Sequence, residues 1–429
     1  MNEKSDIRDW ENTTIGELPV EIIDGDRSSR YPKRHELVDH GIPFLSTTNI
    51  CDNRLELSDV AFITPSKFAE FSKGSLRRHD VILTTRGSVG KTAYYCCEYD
   101  VGLINAQMLI LRADPKRMSP RYLFYLLASD CMQKAFANYA SGSAQPQLPI
   151  QDLRAIEVVI PPFEIQRKIG FILSAYDDLI ENNLRRIAIL EEMARAIYRE
   201  WFVKFRYPGY ERTQMTESEL GLIPEEWQVA ELRTVATLIR NSTNPAKNPN
   251  ARYAHYSIPA FDANRMPAME LGGDIRSTKY IVGDDCVLVS KLNPRIPRVW
   301  LPFVHNEYLS ISSTEFLVLS PIAPVTRTFL YNLCLDDWFL NGLVTSAYGT
   351  STSHQRVKPE HVMSTAIVLP PAGLIQRFTD MVQPMHELIY TLRKAVLSLR
   401  EARDLLLPQL ISGELDVSNI TIDAEEDNL

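Results

Sequence analysis

Two long stretches of the chain carry apolar residues at alternating steps of three and four, the spacing of a coiled-coil seam. The first spans 161–205 and the second spans 370–410; each opens on Pro-Pro and continues into Ile-Gln-Arg. At about 1.5 Å per residue, each predicts a helix of roughly 60 Å whose seam needs a partner, which the other stretch offers. The seam positions are Ile169, Ile172, Tyr176, Leu179, Ile187, Leu190, Ala194, Ile197 and Trp201, with Asn183 in the remaining slot, and Ile375, Phe378, Val382, Met385, Ile389, Leu392, Val396, Leu399 and Leu406.

The rest of the chain repeats together with these stretches. The Pro-Pro pairs are 209 residues apart (370 − 161), and Trp10 and Trp227 head similar segments 217 residues apart (227 − 10). A Gly/Ser loop precedes each Pro-Pro pair, at 141–143 and at 348–351. Pro-Pro alone is ordinary punctuation at a helix start, so chance is the alternative for that landmark. Four aligned landmarks favour a duplication in which each half holds a globular head and a long helix.

The repeat predicts an α+β fold class. Two α+β heads in a pseudo-two-fold repeat are separated by two long antiparallel helices that form a coiled-coil spacer. Pro384 should kink the second helix or move its true start downstream. The expected bounds are head one at 1–160, the first helix at 161–207, head two at 208–369, the second helix at 370–414 and a disordered acidic tail at 415–429.

Head one is expected to place short strands before a helix. The helix is predicted over 120–138, with Ser119 as its candidate N-cap. Strands are predicted at Asp80–Thr85, Ala93–Cys97, Leu103–Arg112 and Ala155–Ile160.

Composition places the chain among ordinary globular proteins, with 45% hydrophobic and 23% charged residues. The start of the chain has no signal-peptide pattern, and no apolar run approaches the roughly 20 residues of a membrane span. Six cysteines without C-x-x-C spacing predict free, mostly buried thiols in a cytoplasmic chain. A net charge of −8 argues against a protein that coats nucleic acid everywhere, but it leaves room for local basic faces.

Two loops of head one have the chemistry of a nucleic-acid contact. Residues 27–35 (RSSRYPKRH) contain arginine and lysine side chains that can bind phosphates and a tyrosine ring that can stack on a base. A solvated charged loop is the alternative. Residues 84–92 (TTRGSVGKT) resemble a phosphate loop, but Thr85 stands where that template needs glycine, so a tight glycine turn facing DNA is the better interpretation. The candidate DNA-binding residues are Arg27, Arg30, Tyr31, Lys33 and Arg34 in the first loop and Thr85, Arg86, Ser88 and Lys91 in the second.

A third loop, 140–147 (ASGSAQPQ), contains glutamines whose amides can read adenine N6 and N7 in the major groove. A flexible linker is the alternative, but 349–355 (GTSTSHQ) lies at the same place in head two. In head two, 287–300 corresponds in place to the glycine turn and keeps its basic character without the paired glycines. The further DNA-binding candidates are Ser143, Gln145 and Gln147 in head one and Lys247, Arg252, Tyr253, Lys291, Arg295, Arg298, Ser351, Ser353, His354 and Gln355 in head two.

The sequence lacks the short motifs that carry catalysis. It has no Asn/Asp-Pro-Pro-Tyr/Phe motif, no Gly-rich cofactor loop after a strand, no Walker A, no H-E-x-x-H and no Cys/His cluster. We therefore expect a binding module with no catalytic residue, cofactor or metal of its own. Two alternatives stay open: a scaffold or adaptor whose heads bind protein and whose helices dimerise, and a complete methyltransferase or nuclease.

Longer motifs resemble one family. PPFEIQRKI at 161–169, the run LIENNLRRIAILEEMARAIYREWFVKF at 179–205 and GLIPEEW at 221–227 look like the central conserved region of a type I restriction–modification specificity subunit. LLLPQLISGEL at 405–415, with IQRF upstream of it, resembles that family's distal conserved region. DVILTTRGSVGK at 80–91 is similar to an element of its target-recognition domains, a pattern from which head two departs. The resemblance covers essentially the full chain.

The resemblance implies a function. Two target-recognition domains, held apart by the helical spacer, would each read one half of a bipartite double-stranded DNA site across a fixed gap. Two modification subunits, which bind S-adenosylmethionine and methylate adenine, would dock on the chain, and restriction subunits that use ATP and Mg could join them. The chain itself would be a non-catalytic subunit in phage defence. Two heads docking on one side of the duplex predict half-sites about 10 bp apart, centre to centre.

Overall fold

The computed structural model describes residues 10–28, 30–142, 145–304, 307–348 and 355–422. The chain divides into two compact units: unit 1 comprises 1–180 and 398–429, and unit 2 comprises 181–397. Head one lies in unit 1 and head two lies in unit 2. Each long helix contributes one part to each unit.

The first half of the chain builds head one and the first long helix. The helix continues as a π-helical turn over Arg199–Val203. The elements are β1 (Glu11–Thr14), β2 (Val20–Asp24), β3 (Leu37–Val38), β4 (Ile42–Leu45), β5 (Ile50–Cys51), β6 (Arg54–Leu55), β7 (Ala61–Ile63), α1 (Pro65–Phe68), β8 (Ser75–Arg77), β9 (Val81–Thr84), β10 (Thr92–Tyr94), β11 (Val101–Ile104), β12 (Met108–Ala113), α2 (Pro120–Ala128), α3 (Asp130–Tyr139), α4 (Ile150–Ala155), β13 (Glu157–Ile160) and α5 (Phe163–Tyr198).

The second half builds head two and the second long helix. The elements are β14 (Met215–Ser218), β15 (Gly221–Pro224), β16 (Gln228–Glu231), α6 (Leu232–Val235), β17 (Ala236–Ile239), β18 (Ser242–Thr243), β19 (Arg252–Tyr256), α7 (Ile258–Asn264), β20 (Ala268–Leu271), β21 (Lys279–Ile281), β22 (Val287–Ser290), β23 (Val299–Trp300), β24 (Leu309–Ser312), β25 (Phe316–Pro321), α8 (Arg327–Leu335), α9 (Asp337–Thr345), α10 (Pro359–Met363), β26 (Ala366–Leu369) and α11 (Ala372–Ile411).

Both heads contain the same sheets. The four-stranded order β10-β9-β12-β2 of head one matches β23-β22-β25-β17 of head two. In the five-stranded sheets, the order β7-β4-β11-β8 of head one matches β20-β19-β24-β21 of head two, and each contains one parallel pair. The fifth strand differs in position: β3 lies beside β7 in head one, whereas β18 lies beside β21 in head two. β1 pairs with β13, and β16 with β26, so each head closes at the strand before its long helix. The topology confirms the predicted α+β duplication.

The four-stranded sheets are buried at their centres, where the strands are mostly apolar. β9 (VILT) and β22 (VLVS) are buried along their whole length, unlike alternating strands with one wet face. In unit 1 this sheet packs on α2, α3 and the first part of α5. In unit 2 the aromatic ring of Phe202 lies 5.0 Å from both Phe329 and Phe378, which joins the end of α5, α8 and the start of α11 in one core.

The long helices pair in opposite directions within each unit. In unit 2, Ile187 packs with Ile389, whereas further along α5 Tyr198 packs with Phe378, earlier on α11. In unit 1, Lys168 donates to the Ser418 carbonyl, and Asp177 pairs with Arg403. Within each unit, residues later on α5 therefore contact residues earlier on α11 or in the segment that follows it. The two helices run antiparallel there, as the seams predicted. The second seam is buried or half-buried at all nine predicted positions.

Several local predictions were wrong. Leu179 is 51% exposed, while Leu173 and Ile180 are fully buried, because a straight helix drifts from a strict seam and this part of α5 packs on head one. α11 begins at Ala372 and continues through Pro384, so its start is not moved downstream.

Two predicted elements are each divided. The helix predicted over 120–138 breaks at Ser129, whose hydroxyl caps α3, while Ser119 caps α2 as expected. The run Leu103–Arg112 forms β11 and β12. The six thiols are free, but burial was overestimated: Cys286 and Cys334 are buried, Cys97 is intermediate, and Cys51, Cys96 and Cys131 are exposed.

Candidate nucleic-acid interface

The glycine turn of head one is a tightly bonded connection between β9 and β10. Gly87 and Gly90 have φ values of +74° and +94°, which explains glycine at both positions. The Thr84 hydroxyl donates to the Ser88 carbonyl and accepts from the backbone N–H of Lys91 at 3.0 Å. The turn is thus fixed from within and exposes Gly87 and Ser88 at its tip.

The third loop of head one lies directly beside this turn. Arg86 forms an antiparallel bridge with Gln147, and Gln147 forms another with Ser141. The Gly87 N–H donates to the Pro146 carbonyl at 3.0 Å, and the Leu148 N–H donates to that of Thr85 at 2.9 Å. Two loops about 60 residues apart in sequence therefore form one small ladder, called here the two-loop ladder, consisting of 85–91, 141–142 and 145–148.

Side chains of this ladder differ in what they can reach. Gln145 is exposed, and Arg86 and Gln147 are half-buried. The Arg86 Nε is buried and has no hydrogen-bond partner among the residues that the structure describes. The Lys91 ammonium donates to the Ile50 carbonyl at 3.0 Å. Thr85 is corrected as a contact residue: it is 3% exposed, and its hydroxyl donates to a backbone carbonyl.

Sequence reasoning missed Gln133 on α3, which holds the glycine turn in place through hydrogen bonds. The Gln133 amide donates to the carbonyls of Gly90 and Leu127, both at 2.8 Å. It therefore ties the glycine turn to α2. No local motif identifies Gln133, since its partners come from two other elements.

The basic loop 27–35 lies between β2 and β3, and two of its arginines pair with carboxylates close to them in sequence. Arg27 pairs with Asp24 at 3.1 Å and Arg30 with Asp26 at 3.9 Å. Tyr31 packs edge-on against Phe44 at 5.4 Å, and partial burial raises the pKa of its hydroxyl. Lys33 and Arg34 are exposed. Ion pairing of surface arginines is weak, so these groups stay accessible to a ligand.

Head two builds the same two-loop ladder with other side chains. Arg356 bridges both Leu292 and Tyr348. The Val357 N–H donates to the Lys291 carbonyl at 3.0 Å, and the Asn293 N–H donates to that of Gln355 at 2.8 Å. The described parts of the loops expected to correspond thus pair in both heads, and Lys291 and Gln355 each accept one of these backbone hydrogen bonds.

Arg356, which sequence reasoning also missed, stands at the centre of this second ladder. Its Nε and Nη2 donate to the two carboxylate oxygens of Glu315 at 3.1 and 3.0 Å. These hydrogen bonds raise the pKa of Arg356 above its ordinary value. The signal was the repeat itself, because Arg356 follows Gln147 by 209 positions (356 − 147), the offset of the Pro-Pro pairs.

The remaining candidates of head two divide by exposure. Lys247, Arg252 and Arg295 are exposed. Tyr253 is corrected, because its side chain is buried in the core at 3% exposure. Arg298 is corrected as well: it is 9% exposed, and its Nε and Nη2 donate to Asp262 at 2.6 and 2.8 Å. Four predicted contacts lie outside the described residues, namely Ser143, Ser351, Ser353 and His354.

Two kinds of feature are absent from the described ranges. No group of three or more His, Cys, Asp or Glu side chains there is arranged to hold a metal ion. No helix in the same ranges has the length and apolarity needed to cross a membrane.

The two heads share one sheet topology and equivalent loop ladders. Residues 7–192 match the family model of the type I restriction modification DNA specificity domain. The chain is 27% identical over 312 residues to the MjaIX specificity subunit of Methanocaldococcus jannaschii, a type I restriction enzyme component, covering 70% of each chain. It is 21% identical to the HindI specificity subunit of Haemophilus influenzae, covering 95% of this chain and 100% of that relative.

A solved structure has the same fold. The type I restriction–modification S subunit from M. genitalium aligns with a TM-score of 0.62 at 13% identity, covering 96% of this chain and 98% of that one. Residues 7–192 thus resemble the DNA specificity domain of type I restriction–modification systems, and the chain is similar over most of its length to specificity subunits of type I restriction enzymes. These similarities support a sequence-specificity subunit and do not favour the scaffold.

Proposed function

We propose that the two heads each read one half of a bipartite double-stranded DNA target through their two-loop ladders. The observation that supports this most is the recurrence of one backbone arrangement in both heads with different side chains on it. Equal backbones would present side chains to a groove in the same way, and different side chains would select different bases.

The proposed contacts are the predicted polar residues of these surfaces, and those that the structure describes are exposed or half-buried. Basic groups at the margins would meet phosphates, and the ladder side chains would meet base edges. Thr85, Tyr253 and Arg298 leave the set because their side chains are used within the fold. In head one the set is Arg27, Arg30, Tyr31, Lys33, Arg34, Arg86, Ser88, Lys91, Ser143, Gln145 and Gln147; in head two it is Lys247, Arg252, Lys291, Arg295, Ser351, Ser353, His354 and Gln355.

The proposal extends to the assembly. Two modification subunits would supply S-adenosylmethionine and the adenine methylation, and restriction subunits would supply the ATP- and Mg-dependent steps, all in the cytoplasm. The relatives, which are named as specificity subunits of type I restriction enzymes, support this division of labour. The head and helix bounds given above remain part of the proposal, as does a gap between half-sites set by the helices. The first part of the expected acidic tail is ordered, because Val417 is buried in the core of unit 1.

A methylome tests the proposal. The chain would be co-expressed with the methyltransferase encoded beside it in a host without its own adenine methylation, and N6-methyladenine would be mapped by long-read sequencing. We expect a split motif with a constant gap. A continuous motif would contradict separate reading by two heads, and a soluble complex that leaves no new methylation would contradict the function.

A further inference from the structure

Gln147 of head one and Arg356 of head two occupy one equivalent position with different chemistry. Each is the central residue of its two-loop ladder: Gln147 bridges Arg86 and Ser141, and Arg356 bridges Leu292 and Tyr348. A glutamine amide matches adenine and an arginine fork matches guanine in the major groove. This position is therefore where the two heads can differ in the base that they select.

The Arg356 guanidinium is held side-on by Glu315. The carboxylate takes the edge formed by Nε and Nη2, with donor–acceptor distances of 3.1 and 3.0 Å. The outer edge, formed by Nη1 and the second hydrogen of Nη2, has no hydrogen-bond partner in the described part of the chain. The Arg356 side chain is 40% exposed and that of Glu315 is 25% exposed, so the pair lies at the surface.

Glu315 is itself fixed by the backbone around it. The Lys291 N–H donates to the Glu315 carbonyl at 2.9 Å, and the Glu315 N–H donates to the Ser313 hydroxyl at 3.3 Å. Gln107, which receives the equivalent hydrogen bond from Thr85, stands at this place in head one. A fork held in one orientation loses less rotamer freedom on binding than a mobile arginine.

We propose, building on the proposed function, that Arg356 selects one guanine in the half-site of head two. Its outer edge donates two parallel hydrogen bonds to guanine O6 and N7. Glu315 is a positioning residue, because it acts on the base through Arg356.

The test compares methylomes of complexes that carry Arg356→Ala, Arg356→Lys or Glu315→Gln. Arg233→Ala is the matched control, since Arg233 is an exposed arginine of unit 2 that pairs with Glu231 at 2.6 Å. Arg356→Ala and Arg356→Lys should relax one guanine position of one half-site by about ten-fold or more, because neither side chain keeps the fork. Glu315→Gln should relax the same position less, and Arg233→Ala should leave the motif unchanged.

The outcomes separate the two proposals. The unchanged half-site of each variant shows that the chain is folded and assembled. A split motif that stays fully selective in Arg356→Ala would overturn the guanine assignment alone, and so would an equal loss at every sequence, which marks a phosphate contact. A wild-type complex without a split motif would overturn the proposed function and this inference with it.

Discussion

Arg86 combines partial burial with an unpaired donor. Its Nε is buried without a hydrogen-bond partner among the described residues, an unfavourable state for a group that meets no ligand. Because we propose a base contact, Arg86→Ala should weaken recognition of the first half-site by about 1–3 kcal/mol and leave the second unchanged.

Binding of the assembled complex to DNA with either half-site altered measures this. Arg78→Ala, which removes an exposed arginine paired with Asp100, is the control. Equal weakening at all sequences, together with a shallower salt dependence, would make Arg86 a phosphate contact instead.

Gly90 offers a residue-scale test of the turn itself. A Cβ at Gly90 would lie 2.7 Å from the Gln133 Oε1, whereas a Cβ at Gly87 would meet no atom within 4 Å. Both positions have positive φ, so each alanine should cost about 1 kcal/mol, and Gly90→Ala about 1 kcal/mol more, because the Gln133 amide must shift and weaken its hydrogen bond to the turn. Urea unfolding of both variants measures the difference, and equal losses would show that Gln133 does not restrain the turn.

His386 predicts a pH dependence. It is buried on α11 against the Tyr331 ring, and burial, followed by the nearby Arg327 and Arg393, lowers its pKa to about 4. As pH falls below about 6.5 the unfolded chain takes up this proton first, so the free energy of unfolding should fall between about pH 6.5 and 4, by about 2 kcal/mol at pH 5. His386→Leu should lack this component in urea unfolding at pH 7 and pH 5; the same pH dependence in both proteins would contradict it.

Residue-level prediction succeeded where a residue constrains its own backbone and failed where partners come from afar. Gly87 and Gly90 identified a tight turn, since positive φ favours glycine. Arg298 appeared to be a surface cation, but its partner Asp262 lies 36 positions away and on α7. Nothing in the local sequence around Arg298 distinguishes a buried pair from an exposed charge.

At the scale of elements, Glu191 joins three segments of unit 2. Its carboxylate on α5 accepts from Arg393 on α11 and, at 3.0 Å, from Arg265 at the end of α7. Glu191→Gln should lower the free energy of unfolding by about 2–3 kcal/mol, because two partly buried arginines lose their counter-charge. Glu181→Gln is the control, since its pair with Arg185 is exposed and should matter by less than about 0.5 kcal/mol. Equal effects in thermal unfolding would contradict the role of Glu191.

The positions of the two long helices were well predicted from sequence, but which of their residues are buried was predicted less well. Periodicity located both helices to within a few residues because an apolar seam repeats over many turns. It misplaced Leu179, which is exposed, since the burial of α5 is set by head one as well as by α11. The two-loop ladders needed the structure, because backbone pairing between distant loops leaves little trace in side-chain pattern.

At the scale of the whole molecule, duplication is the central feature. The sheets, the closing strand pairs and the loop ladders match, so head two repeats the fold of head one. Gln147 in head one and Arg356 in head two stand at the same position. The sequence predicted this repeat from four landmarks. The sequence alone did not predict which side chains are equivalent in the two heads, because this became visible only from the backbone pairing of the ladders.

If the two heads read one DNA target across a gap set by the helices, as we propose, the distance between the half-sites must be fixed. The most direct measurement is the affinity of the methylation complex for DNA that carries both half-sites, with the gap changed one base pair at a time. We predict one optimal gap, with half-site centres about 10 bp apart, and a loss of at least roughly ten-fold when the gap changes or either half-site is scrambled. Affinity that ignores the gap, or that survives with a single half-site, would contradict the account.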